Sequence, residues 1–65
     1  MTYRGEYRAR DPNARRTWWS EVEARETLWQ TVFHARKEAA ERSLRLVRLR
    51  DGFGRDIDMI EVLAR

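Results

Sequence analysis

The chain contains no cysteine. That excludes a disulfide framework and a thiolate metal site, the two usual staples of a very small protein. A single proline, Pro12, and three glycines leave few fixed punctuation points along the backbone. No stretch approaches the about 20 apolar residues of a membrane-spanning helix, and no apolar signal core follows Met1. The expectation is a cytoplasmic protein with no membrane partner. His34 is the only histidine, so histidine pairs for a metal or an acid–base site are excluded. Gly52 and Gly54 flank Phe53 without the longer spacing of a phosphate-binding loop.

Lysine is also scarce. Lys37 stands alone among 14 basic residues, and the rest are arginine. The net charge of +3 is unevenly spread. Residues 1–20 carry five arginines against Glu6 and Asp11, and residues 43–50 carry Arg45, Arg48 and Arg50 with no acid. Residues 21–42 and 51–65 are slightly acidic. The basic charge lies outside the one long helical segment and away from the C-terminal residues.

Sixty-five residues make one small domain, 1–65, which buries only about 60% of its unfolded surface. A hydrophobic fraction of 42%, including Trp18, Trp19 and Trp29, argues against disorder. With no cysteine to form a staple, oligomerisation is the remaining remedy for a thin core, so a homodimer is expected.

The clearest periodic segment runs from Ser20 to Arg42. Ser20 with Glu23 has the form of a capping box, and Trp19 is placed to act as a staple. At about 100° per residue, Val22, Trp29, Phe33 and Ala40 form one line and Leu28, Val32, Ala35 and Ala39 a second. One stripe is enough to lie on a sheet. The second stripe is read as a surface for a partner.

Around this helix the sequence alternates. Tyr3, Gly5, Tyr7 and Ala9 fall on one side of a strand, with Arg4, Glu6, Arg8 and Arg10 on the other. Asp11-Pro12-Asn13 fits either a turn or a helix start. Length favours the turn and a returning strand over Arg15–Trp19, which sends Trp18 and Trp19 to opposite faces. In Leu44–Arg50 the apolar parity switches, as at a bulge or in a strand apolar on both sides; a continuing helix fits as well. Asp51-Gly52-Phe53-Gly54 is a turn. Residues 56–63 fit a last strand with a bulge, or a short helix on Ile57, Ile60 and Leu63. The assembly expected is α+β: ββαββ, a four-stranded sheet with one long helix packed on one face. The alternative is an all-α long helical hairpin.

For function, the absences exclude most chemistry. Ser20 is taken up as a cap, His34 falls on the polar side of the helix, and Asp51, Asp56 and Asp58 lack the ligand spacing of a calcium loop. No enzyme activity, cofactor or metal is expected. The first reading is an interaction module, a homodimer that binds a protein partner through Leu28, Val32, Ala35, Ala39, Trp19 and Phe53. By size alone it fits an accessory or inhibitory protein of the kind found in phages and mobile elements, complete as a small gene product. The alternative is a nucleic-acid-binding sheet face using Arg4, Arg8, Arg10, Arg15, Arg16, Arg45, Arg48 and Arg50, with a tryptophan among them.

Overall fold

A computed structural model describes residues 2–65. The elements are β1 (Tyr3–Ala9), β2 (Thr17–Val22), α1 (Leu28–Glu41), β3 (Leu44–Arg50) and α2 (Met59–Ala64). The class is α+β, as expected, and the all-helical alternative is excluded. The strand count is corrected: three antiparallel strands in the order β2-β1-β3, not four, and the chain order is ββαβα rather than ββαββ.

β1 is the central strand, and its alternation sets the two faces. Tyr3, Gly5 and Tyr7 stand opposite Val22, Ser20 and Trp18 of β2. On the other side Gly5, Tyr7 and Ala9 stand opposite Leu49, Leu46 and Leu44 of β3. Gly5 permits this closure. A Cβ there would lie 2.7 Å from Leu46 Cδ1 and 3.1 Å from Val22 Cγ2, so its bare backbone lets both neighbours meet over the strand.

The β1–β2 connection turns at Asp11. The Ala14 N–H donates to the Asp11 carbonyl at 3.0 Å, and the Asn13 N–H donates to Asp11 Oδ1 at 2.9 Å. This is the turn reading of Asp-Pro-Asn, closed by the short Asp side chain. β2 then starts at Thr17, not Arg15, and runs through Ser20 to Val22. Ser20 is therefore a strand residue and not a helix cap, and Trp19 is no staple. The magnitudes explain the outcome. A cap contributes about 1 kcal/mol. Burying Val22 contributes about 1.5–3 kcal/mol, and the ladder with β1 adds to it.

The helix starts seven residues later than a Glu21 start implies. Its capping box is Thr27 with Gln30: Thr27 Oγ1 accepts from the Gln30 N–H and Gln30 Oε1 accepts from the Thr27 N–H, both at 3.1 Å. Fourteen residues span about 21 Å, close to the about 23 Å of a seven-residue strand.

The two helical stripes are exchanged relative to expectation. Val32, Ala35 and Ala39 are buried and Leu28 packs on them, so the stripe assigned to a partner is the face on the sheet. Trp29 and Phe33, expected inside, are 40% and 44% exposed. Tyr3, Tyr7, Leu46 and Leu49 already fill the space above the sheet, so the small Ala35 and Ala39 let the helix come close where large aromatics would hold it off. Thr31 is buried among them. Its hydroxyl donates to the Thr27 carbonyl at 3.0 Å and accepts from the Arg25 N–H at 2.9 Å.

Ser43, with φ of 57°, reverses the chain from α1 into β3. The parity switch in β3 is a bulge. Register passes from Glu6–Arg48 to Tyr7–Leu46, leaving Val47 unpaired, so Leu44, Leu46 and Leu49 all face the helix. Asp51 then closes the predicted turn, its Oδ1 accepting from the Phe53 and Arg55 N–H groups at 2.8 and 3.0 Å. The expected fourth strand shrinks to one bridge, Arg50–Asp56, and one bond from the Ile57 N–H to the Leu49 carbonyl. Asp58 caps α2 at that point, accepting from the Glu61 N–H at 3.1 Å. Ile57, Met59, Val62 and Leu63 pack against the core, whereas Ile60 is 82% exposed.

Candidate functional site

Both helices lie on one face of the sheet, and the other face is bare. Its layout follows from the register. One row is Glu21, Arg4 and Arg50; the next is Trp19, Glu6 and Arg48; the third is Thr17, Arg8 and Arg45. Five of the eight arginines singled out in the sequence therefore share this surface: Arg4, Arg8, Arg45, Arg48 and Arg50. They stand on two adjacent strands, about 4.8 Å apart in the pairing direction.

The other three sit elsewhere. Arg10 is held at the sheet end, its Nε–H donating to the Leu44 carbonyl at 3.2 Å. Arg15 lies in the exposed arm before β2 and, with Arg8, Arg10 and Arg45, borders a shallow groove in which Asp11 is the single acid. Arg16 is exposed in the same arm.

Ion pairing on the open face is sparse. The three ion pairs among the described residues are Arg25–Glu38, Arg50–Asp56 and Arg65–Glu61. Arg4, Arg8, Arg45 and Arg48 thus keep their charge uncommitted, although Glu6 and Glu21 stand beside them in the register. Arg50 is fixed. Its guanidinium lies 4.7 Å above the Trp19 ring and its Nε–H donates to Asp56 Oδ1 at 2.8 Å. That contact holds the Asp56 carboxyl below the usual carboxylate range. Trp19, expected as an anchor for a protein partner, is half-buried under this arginine. Trp18 points to the helix side, as the alternation predicts.

The other aromatic anchors are apart from this face. Phe53 is 77% exposed at the Asp51–Gly54 turn, with the Arg55 guanidinium 5.7 Å from its ring. Trp29 and Phe33 stack on the outside of α1 with centroids 5.0 Å apart, and His34 meets Phe33 edge-on. Sequence reasoning placed this pair in the core; an aromatic pair at i, i+4 also marks an exposed helix patch, and that signal was present.

The acidic candidates have structural tasks. Asp51 closes a turn, Asp56 holds Arg50 and Asp58 caps α2. No group of three or more His, Cys, Asp or Glu side chains among the described residues is arranged to hold a metal ion. No helix among them is long and apolar enough to cross a membrane. Compared with protein-family models, curated proteins and solved structures, the chain matches none.

Proposed function

We propose that the open sheet face binds the phosphate backbone of duplex nucleic acid. The observation behind this reading is the grouping of five arginines on one uncovered surface, four of them without an ion-pair partner among the described residues. A sheet of uncommitted arginine charge gains by neutralising phosphates, because each contact releases a condensed counterion. The state of Trp19 favours the duplex over a single strand. Single-strand binders use aromatic rings as stacking platforms for bases, and the Trp19 ring face is occupied by Arg50.

The test is a salt titration of binding to labelled duplex DNA, read by anisotropy. Four phosphate contacts, from the four uncommitted arginines, give a log–log slope of about −3.6 on duplex and about −2.8 on a single strand. Replacing Arg8, Arg45 and Arg48 together by alanine reduces the duplex slope to about −1. Absence of binding at low salt, or a slope unmoved by the three substitutions, rejects the proposal.

A second reading is supported by the stacked, exposed Trp29 and Phe33. Tryptophan is enriched at the hot spots of protein interfaces, so an accessory or inhibitory protein would present this pair to its target. Loss of a captured partner on Trp29→Ala, with the open sheet face intact, is its signature.

A further inference from the structure

β2 is an outer strand of the sheet, and its free side is bare. No hydrogen bond beyond the ladder with β1 joins backbone groups of Thr17–Val22 to other described residues. The opposite edge is different, because Asp56 and Ile57 bond to β3 there. Proteins blunt a free edge with proline, charged side chains (lysine above all) or a bulge, since it otherwise recruits another strand. Thr-Trp-Trp-Ser-Glu-Val has no proline, lysine or bulge, and Glu21 is its one charge.

We propose that this edge pairs antiparallel with β2 of a second copy, joining two sheets into one of six strands. Residues directly opposite in such a pair share a face, which allows two registers with five residues paired. Centred on Ser20, the pairing sets Arg15 against Arg25. Centred on Trp19, it sets Arg15 of each copy against Glu23 of the other, Thr17 against Glu21 and Trp18 against Ser20. The second register is the one assigned, because it aligns opposite charges twice.

Shape agrees with it. Ser20 borders an open notch of about 210 Å³ between β2 and the C-terminal half of α1, walled by the chain's own Trp18 with Tyr7, Glu38 and Arg42. Trp18 of the second copy, opposite Ser20, stands at the mouth of this notch beside the first copy's Trp18. The two-fold axis stands perpendicular to the sheet, so both arginine faces look the same way. The use of that doubled face on a polyanion rests on the nucleic-acid reading; the dimer does not.

Sedimentation equilibrium without nucleic acid tests the pairing. The wild-type chain is expected as a dimer at micromolar concentration. Glu23→Arg sets arginine against arginine and weakens it about ten-fold, and Arg15→Glu with Glu23→Arg restores it. Both positions are exposed and outside the strands, so an unchanged circular dichroism spectrum verifies the fold. A monomer at hundreds of micromolar, or a dimer indifferent to Glu23→Arg, overturns the proposal. A dimer that responds as stated but ignores DNA rejects only the function proposed above.

Discussion

At the scale of single residues, Tyr7 links the core to the notch beside β2. It stands opposite Trp18 and Leu46 and packs against the core. Burial pushes its hydroxyl pKa up from 10.0; Glu38 adds to the shift and Arg42 opposes it. The folded chain therefore holds this proton more tightly than the unfolded chain. Below the ordinary value both states are protonated and the stabilisation is complete. As pH rises past it, the unfolded state releases its proton first, and stability falls until the folded pKa is passed. Urea melts at pH 9 and pH 11 are expected to show this loss, and Tyr7→Phe should lose less over the same interval. An equal loss in both chains would assign the effect to groups other than Tyr7.

At the scale of elements, the junctions decided how much was legible. Strand β1 was readable because alternation over seven residues has one interpretation. The Asp11 and Asp51 turns were readable because Asp, Pro and Gly carry the turn chemistry locally. The helix start was not, since Ser20–Glu23 and Thr27–Gln30 both have capping-box form, and tertiary pairing of Val22 with Tyr3 chose between them. Which stripe of α1 faces inward depended on how full the sheet face was, which no helical wheel contains. Of the candidate surfaces, the open-face arginines were legible by parity. The free edge of β2 was not, because strand order is a property of the whole sheet. The end of α1 was ambiguous for a specific reason. Helices commonly end with a glycine in the left-handed region, and this one ends with Ser43 at φ of 57°. A serine there costs about 1 kcal/mol. Ser43→Gly is therefore expected to stabilise the chain by about 0.5–1 kcal/mol, raising the thermal midpoint by a few degrees. A drop in the midpoint would mean that the Ser43 side chain contributes more than its backbone conformation costs.

At the scale of the whole molecule, one face is built for packing and the other carries charge that does not serve the fold. The helix side holds Val22, Val32, Leu46 and Leu49. On the open side Arg8 stands directly opposite Arg45, and neither has an ion-pair partner among the described residues. Like charges directly opposite on adjacent strands destabilise a sheet, whereas opposite charges contribute about 0.2–1 kcal/mol. A sequence shaped for stability alone would place an acid at one of these positions. Arg45→Glu makes that change and converts a repelling pair into an attracting one. The relief is on the order of 1 kcal/mol at low salt, worth about 4–8 °C in the midpoint of a chain this size. The gain should shrink as salt rises, because the Debye length contracts from about 30 Å at 0.01 M to about 3 Å at 1 M. The same substitution removes a phosphate contact and adds a repelling carboxylate, so duplex binding should weaken at every salt concentration while the protein melts later. Opposite movement of stability and affinity separates a face kept positive for a polyanion from one that is merely solvated. If Arg45→Glu leaves affinity unchanged, or lowers the midpoint, Arg8 and Arg45 are not held apart from acids for binding, and the nucleic-acid reading loses its main support.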